Sequence, residues 1–312
     1  MDCFRGSLYF FTVHSWCMKR WAGFFLLVYM LSGCMSKYVY TLTDKQVQER
    51  YAPKTTQPFF GYFNSNGQNI FYALQGDASK PLLVLVHGAP GRWYSSINLF
   101  DDSLLLSRYR ILAFDRPGYG KSGSPKAITS IETQTEYMAA LVNHVNTTGE
   151  PVTIAGRSYG TPIAACYAMK YPEQVKKLVL LGSCIDPAKE KYFWFSYANL
   201  PGLIQSFMPR AINIATGEKF THRKELKKLL SSWNHIQSPT MVVHGKKDWI
   251  SDTANAWFAY KKIVNAPVTL YLLPESGHNI TFSNASLIVD LILQEETHVT
   301  SNAPKGAQVR KR

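Results

Sequence analysis

At residues 152–160 the chain reads Val152-Thr153-Ile154-Ala155-Gly156-Arg157-Ser158-Tyr159-Gly160. The first four residues form an apolar run of strand length, and a helix-like segment follows from Thr161 to Tyr171, where Pro172 ends it. A Gly-x-Ser-x-Gly sequence between a strand and a helix is typical of a sharp turn that projects a serine hydroxyl. The glycines at 156 and 160 leave space for neighbouring backbone. The sequence therefore predicts a nucleophilic Ser158 at the end of a buried strand.

Strand-like and helix-like segments alternate on both sides of this turn. Two aromatic runs, Phe59 to Phe63 and Ile70 to Leu74, flank an Asn-Gly turn and predict an antiparallel hairpin. The continuous apolar runs predict strands that are buried on both faces, at Leu82 to Val86, Arg110 to Phe114, Leu178 to Leu181, Thr240 to Val243 and Val268 to Leu273. Helical patterns lie between them, at Glu132 to Val145, Thr253 to Val264 and Asn284 to Leu293. The alternation predicts an α/β fold, with a mostly parallel, doubly wound sheet and an antiparallel N-terminal hairpin.

Residues 186–238 interrupt this alternation, because they contain no strand-like run. An insertion between two core strands is expected to form a helical cap over the carboxyl ends of the strands, where open α/β sheets bind ligands. Its aromatic and methionine residues could form the core of the cap or a pocket wall: Tyr192, Phe193, Trp194, Phe195, Phe207 and Met208. It holds four acidic residues against eight lysines and arginines, so the cap is net basic.

A serine hydroxyl is a weak nucleophile near neutral pH, so a base must accept its proton and a carboxylate must orient that base. His278 follows the last predicted strand by a short loop, and Asp248 follows the strand at Thr240 to Val243. Both residues therefore fall at the same edge of the sheet as Ser158. Asp186 and Asp252 are alternative positions for the acid.

The order of these residues along the chain, Ser158, Asp248 and His278, is that of α/β-hydrolases. Four further motifs agree: His87-Gly88-Ala89-Pro90-Gly91, Asp115-Arg116-Pro117-Gly118-Tyr119-Gly120-Lys121-Ser122, Gly245-Lys246-Lys247-Asp248 and Gly277-His278. The sequence thus resembles the α/β-hydrolase superfamily from about Pro58 to Leu293. The resemblance implies an α/β-hydrolase fold with an oxyanion hole formed by the backbone N–H groups of Ala89 and Tyr159.

The resemblance also narrows the chemistry. Haloalkane dehalogenases and epoxide hydrolases of this fold resemble the chain around the His-Gly-x-Pro loop, but they have aspartate at the position of Ser158. We therefore expect a serine hydrolase that forms an acyl-serine intermediate on a small-molecule acyl substrate, with no metal or organic cofactor implied. His87 is expected to support the oxyanion loop, Asp115 and Arg116 to hold a loop, His244 to be buried at a strand end, and Cys166 to be a packed thiol. Candidate pocket residues are Trp93, Arg157, Tyr159 and Trp249.

The sequence leaves more than one substrate class open. The His-Gly-x-Pro-Gly loop also resembles proline iminopeptidases, which need acidic cap residues to hold the substrate amine. The basic cap disfavours such a cation and favours a carboxylic ester, with an anionic part or an acyl chain drawn from a membrane. A different class of protein, a ligand-binding lipoprotein that keeps the scaffold without catalysis, is the further alternative.

Composition adds few constraints. The chain has 312 residues, of which 46% are hydrophobic, and a net charge of +13. Its five cysteines include no Cys-x-x-Cys pair, which excludes a disulfide framework and a metal site of that spacing. The positive charge is spread thinly and no recognition motif accompanies it, so nucleic-acid binding is not expected.

The N-terminus predicts export. Lys19-Arg20 precede a short apolar run from Trp21 to Leu31, and Leu31-Ser32-Gly33-Cys34 resembles the lipobox of bacterial lipoproteins. We expect a signal peptide at residues 1–33, with Met18 as an alternative start. We also expect Cys34 to carry lipid, including palmitate, that would anchor the protein to a membrane of the cell envelope. Residues 34–57 are expected to be a tether, 58–298 the hydrolase domain and 299–312 a flexible basic tail.

Overall fold

A computed structural model describes residues 42–124, 127–193, 197, 205–206, 208–294 and 308–311. Its strands are β1 (Phe59–Ser65), β2 (Gln68–Gln75), β3 (Leu82–Val86), β4 (Arg110–Phe114), β5 (Val152–Arg157), β6 (Val175–Leu181), β7 (Thr240–Gly245), β8 (Val268–Leu273) and β9 (Gln308–Lys311). Its α-helices are α1 (Asp44–Tyr51), α2 (Ile97–Phe100), α3 (Ser103–Arg108), α4 (Ile131–Val145), α5 (Gly160–Lys170), α6 (Arg210–Lys228), α7 (Ala254–Lys262), α8 (Ile280–Ser283) and α9 (Ala285–Leu293). Every strand and helix predicted outside residues 186–238 is present, with ends shifted by a few residues.

The described strands form a single sheet in the order β1-β2-β4-β3-β5-β6-β7-β8-β9. The pairs β1/β2, β2/β4 and β8/β9 are antiparallel, and the five central pairings are parallel. The predicted architecture, a mostly parallel sheet with an antiparallel N-terminal hairpin, is confirmed. Because β5, β7 and β8 run in the same direction, the segments after them meet at one edge of the sheet.

Two apolar layers cover the two faces of this sheet. Successive residues of β3 point to opposite faces, so that Val84 packs with helices α4, α5 and α7, whereas Leu83 and Leu85 pack with α2, α3 and α9. All five residues of β3 are buried. Burial on both faces explains why the central strands read as uninterrupted apolar runs.

Two segments outside the predicted domain have regular structure. In the expected tether, α1 begins with a capping box in which Thr43 and Gln46 bond to each other's backbone N–H, and Tyr51 at its end donates to Asp101 at 2.7 Å. In the expected flexible tail, β9 pairs with β8 from Thr269 to Leu272. Residues 308–311 pair there because the open edge of β8 offers unpaired backbone groups to them.

The predicted cap is described in part. Its long helix is α6, and 3-10 turns at Pro187–Lys189 and Trp233–His235 join it to the sheet. Trp194, Phe195 and Phe207 lie outside the described residues, as do the predicted signal peptide and Cys34. Within the described part of the chain, no helix is long and apolar enough to cross a bilayer.

Candidate active site

The turn between β5 and α5 holds Ser158 in a rare backbone conformation. Its φ is +51°, in the left-handed region that residues other than glycine seldom occupy. The backbone around it is crowded: a Cβ on Gly160 would lie 2.3 Å from the carbonyl oxygen of Val86, and one on Gly156 would lie 2.6 Å from that of Gly160. Only glycine fits at these two positions. The strained turn is thus fixed by close packing of β3, β5 and α5, and this packing presents the Ser158 hydroxyl at the sheet edge.

Three predicted side chains meet at this edge. His278 Nε2 lies 2.9 Å from Ser158 Oγ, and His278 Nδ1 lies 2.7 Å from Asp248 Oδ2. Both distances are those of hydrogen bonds. The Asp248 side chain is fully buried and that of His278 is 9% exposed. The arrangement connects a nucleophile, a base and an orienting carboxylate in one chain of hydrogen bonds.

The surroundings of Asp248 favour its ionised form. Its Oδ1 accepts hydrogen bonds from the backbone N–H groups of Ile250 and Ser251, both at 2.9 Å. Burial acts to raise the pKa of Asp248, but hydrogen bonding and charge attraction from His278 outweigh it, and the pKa lies below the ordinary value. An ionised Asp248 holds the proton of His278 on Nδ1, which leaves Nε2 free to accept the Ser158 proton.

The two alternative acids have other partners. Asp186 accepts a hydrogen bond from the backbone N–H of Ala188 at 2.8 Å, at the start of a 3-10 turn. Asp252 accepts one from Ala254 at 3.0 Å and lies 3.8 Å from Lys191. Of the three acids, Asp248 is therefore the one that contacts His278.

His87 supports the loop after β3, as expected. Its Nδ1 donates to the Gly88 carbonyl at 2.7 Å, and its Nε2 accepts the backbone N–H of Arg116 at 2.9 Å. Burial, together with the positive charge of Arg116, holds the pKa of His87 well below its ordinary value, so the ring is neutral. The loop brings Ala89 to the cavity above Ser158, opposite Tyr159 at the start of α5.

A buried guanidinium connects this loop to the cap. Arg116 donates to the carbonyl oxygens of His87 and Gly88, both at 3.0 Å, and pairs with both oxygens of Glu218 on α6 at 2.5 and 3.1 Å. Tyr119 and Gln134 also donate to Glu218, at 2.6 and 3.0 Å. The side chains of Arg116 and Glu218 are 1% and 0% exposed. The expected role of Arg116 as a loop anchor therefore extends to the cap helix, which local sequence patterns do not indicate.

The cap and the sheet edge enclose a cavity of about 250 Å³. Ser158, Ala89 and Tyr159 line its floor, and Phe193 and Ile212 line it from the cap. A cavity of this kind, with Ser158 at one end and apolar side chains around it, suits a small molecule with an apolar part.

Sequence reasoning missed Cys184, which lines the same cavity. Its Sγ lies 3.7 Å from Ser158 Oγ. Burial raises the pKa of this thiol to about 11, so it is neutral at physiological pH. Its position just after β6, at the edge that also holds Ser158, is the signal that could have identified it. Cys166, by contrast, is buried within α5, as expected of a packed thiol.

The candidate pocket residues Trp249, Trp93 and Arg157 lie in different surroundings. Trp249 lines the cavity and is 62% exposed. Trp93 does not line it: the indole is buried against Phe60 and Phe100, because the loop after Gly91 turns back onto the sheet. Arg157 points to Asn279, whose side-chain oxygen accepts its hydrogen bond, and burial lowers its pKa. Trp93 and Arg157 are thus not among the residues that line the cavity above Ser158.

The neutral buried histidines predict a pH dependence of stability. Burial lowers the pKa of His87 and of His244, while unfolded histidine titrates near 6.5. Below that pH the unfolded chain binds protons that the folded one does not, so stability falls as pH falls. We expect His87, whose pKa lies well below the ordinary value, to remove up to about 1.4 kcal/mol from the free energy of unfolding between pH 7.5 and 5.5, and His244 to remove a smaller amount.

Urea unfolding at the two pH values measures this loss. Replacing His87 by Gln keeps an acceptor for the Arg116 N–H and should remove the larger part of the dependence that the two histidines cause. Replacing the exposed His144 by Gln is the matched control and should leave it unchanged. Equal pH dependence in wild type and His87→Gln would contradict a neutral His87.

Comparison with known proteins agrees with this architecture. A family model described as the alpha/beta hydrolase fold matches residues 81–226. A proline iminopeptidase, PfmaB of Pestalotiopsis fici, is 25% identical over 271 residues, which cover 73% of this chain and 95% of that protein. Among solved structures, 2-hydroxy-6-oxo-6-phenylhexa-2,4-dienoate hydrolase of Rhodococcus sp. strain RHA1 covers 76% of this chain and 98% of its own, with a TM-score of 0.62 and 18% identity. A thioesterase domain from the curacin biosynthetic pathway covers 76% of this chain and 100% of its own, with a TM-score of 0.58 and 18% identity.

The sheet order and these structural likenesses define the chain as a protein of the α/β-hydrolase fold. The match to the family model over residues 81–226 and the similarity to PfmaB agree with this fold.

Proposed function

We propose that this protein is a serine hydrolase that cleaves carboxylic esters through an acyl-serine intermediate. The observation that carries the proposal is the hydrogen-bonded series Ser158, His278 and Asp248, in which Ser158 lines the floor of a cavity. His278 Nε2 takes the hydroxyl proton as Ser158 Oγ attacks the ester carbonyl carbon. The alcohol leaves with that proton, and water activated by His278 then releases the acid and restores Ser158.

Backbone N–H groups of Ala89 and Tyr159 are proposed to bind the negative oxygen of the tetrahedral intermediate. Ala89 lies in the loop held by His87 and Arg116, and Tyr159 lies at the N-terminus of α5, where the helix dipole favours negative charge. One donor in such a site contributes about 2.7 to 4 kcal/mol to transition-state stabilisation.

A proline iminopeptidase-like aminopeptidase is the second candidate, because the similarity to PfmaB extends over 95% of that protein. Such an activity needs a free carboxylate for the substrate amine. The cavity carboxylate, Glu190, has one oxygen on Lys219 and the other on His222 Nδ1 at 2.8 Å. Both oxygens are engaged within the protein, and this pairing favours the ester hydrolase.

Three chromogenic substrates separate the two candidates: 4-nitrophenyl butyrate, butyryl-4-nitroanilide and L-prolyl-4-nitroanilide. The two anilides share a leaving group, so their comparison isolates the effect of the substrate amine from ester reactivity. We expect rapid turnover of the ester and no preference for the prolyl over the butyryl anilide. A prolyl preference of tenfold or more, with slower turnover of the ester than of the prolyl anilide, would establish the aminopeptidase instead.

A further inference from the structure

The catalytic cavity has an unequal set of charged side chains. Lys189, Lys191 and Lys219 line it, and Glu190 is the carboxylate among its described lining residues. All four come from the cap, and Ser158 lines the same cavity. The charge available to a ligand depends on which of them already have partners.

Glu190 and Lys219 neutralise each other. The Glu190 side chain is 6% exposed, and its two oxygens contact Lys219 Nζ and His222 Nδ1. Burial acts to raise the pKa of Glu190, but His222 and Lys219 lower it further, so the carboxylate is ionised. The pair is therefore an internal element of the cap, and neither charge is left for a ligand.

The positive charges of Lys189 and Lys191 are not neutralised by a buried carboxylate in this way. Lys189 is exposed, and no carboxylate lies within 4.0 Å of its ammonium group among the described residues. Lys191 is 3.8 Å from Asp252, but the two side chains are 36% and 39% exposed, and such solvated pairs attract weakly. The exposed side of the cavity wall thus presents two positive charges.

Apolar side chains complete the wall that these lysines share. Phe193 contacts Trp249 edge to face at a centroid distance of 5.5 Å, and Ile212 and Ile250 also line the cavity. We propose that the substrate is an anionic ester: its carbonyl lies at Ser158, its apolar part packs on these side chains, and Lys189 and Lys191 bind its carboxylate or phosphate. The inference rests on the proposed ester hydrolysis and names its substrate class.

A matched pair of soluble esters tests the charge preference. 4-Nitrophenyl hydrogen adipate carries a terminal carboxylate, and its methyl ester has the same chain and leaving group without the charge. We expect wild type to hydrolyse the carboxylate form with a kcat/KM about tenfold higher, because a cavity with uncompensated lysines concentrates and binds anions. The preference should shrink as salt concentration rises.

The double variant Lys189→Gln/Lys191→Gln should lose this preference while it retains turnover of the neutral methyl ester. Lys224→Gln/Lys227→Gln is the matched control, because it removes two positive charges from exposed positions of α6 outside the cavity lining. An unchanged preference in the first double variant, or an equal loss in both, would overturn the proposal. Wild type that hydrolyses neither ester would contradict the ester hydrolysis itself, whereas equal hydrolysis of both would contradict only the anion site.

Lipid vesicles distinguish the source of the anion. Fatty-acid release from phosphatidylglycerol vesicles that exceeds release from phosphatidylcholine vesicles, and that depends on Lys189 and Lys191, would assign the anion to a lipid headgroup. A lysine-dependent preference seen only with the soluble adipate esters would assign it to a free carboxylate.

Discussion

Replacing Ser158 by Ala should reduce kcat for ester hydrolysis by roughly 10⁴- to 10⁶-fold, since no acyl-enzyme can form without the hydroxyl. The folded state should be preserved. Alanine has a side chain of nearly the same size, and both residues carry a Cβ at the φ of +51°. Steady-state turnover of 4-nitrophenyl butyrate and a thermal melt measure the two effects.

Ser183 provides a matched control for this variant. It is a fully buried serine just after β6, and its Oγ has no hydrogen-bond partner among the described residues. Ser183→Ala should therefore keep nearly all of the activity. Loss of activity in Ser183→Ala equal to that in Ser158→Ala would mean that the region tolerates no substitution, and the role of Ser158 would then be contradicted by this comparison.

A fluorophosphonate probe supplies a readout that does not depend on the choice of substrate. It should label wild type covalently and leave Ser158→Ala unlabelled. Because Cys184 Sγ lies 3.7 Å from Ser158 Oγ, labelling of the thiol must be distinguished, and Cys184→Ala should still be labelled. Wild type that takes no label would favour the alternative of a ligand-binding protein without catalysis.

Most of the catalytic geometry follows from patterns that can be read along the chain. Continuous apolar runs predict the parallel strands, and residues that follow such strands gather at one edge of the sheet. This rule places Ser158, Asp248 and His278 together although the chain separates them widely. The same rule applies to Cys184, which follows β6 and therefore lies at this edge.

Other features depend on how distant segments pack, which local patterns do not encode. Trp93 follows the loop after β3 in sequence, yet its ring is buried against Phe100, since the 3-10 turn Trp93–Ser96 packs on one face of the sheet. β9 has four residues, two of them basic, so it carries no apolar run that would predict a strand. Its pairing depends on the open edge of β8.

The ion pair between Arg116 and Glu218 is the most consequential of these long-range contacts. Replacing Glu218 by Gln keeps the shape of the side chain but leaves the Arg116 charge buried without a counter-charge. Removing one partner of a buried pair costs about 3 to 5 kcal/mol. We expect the free energy of unfolding, measured in urea, to fall by about that amount, which is a large part of the 5 to 15 kcal/mol typical of a domain.

Glu225 offers the matched control, because it lies on the same helix and undergoes the same substitution. Its partner Lys228 is 47% exposed, so water can solvate the lysine when the carboxylate is removed. Glu225→Gln should therefore lower the free energy of unfolding by less than about 1 kcal/mol. The double variant Arg116→Met/Glu218→Leu should recover only part of the loss: it strands no charge, but it removes buried hydrogen-bond partners of Tyr119, Gln134 and the loop carbonyls. Catalytic activity should not recover together with stability in this double variant. The variant also removes the guanidinium that binds the His87 and Gly88 carbonyls, so its kcat for the neutral ester 4-nitrophenyl butyrate should stay low after stability is regained. Equal losses of stability in Glu218→Gln and Glu225→Gln would contradict the role of the buried pair in joining the cap to the loop after β3.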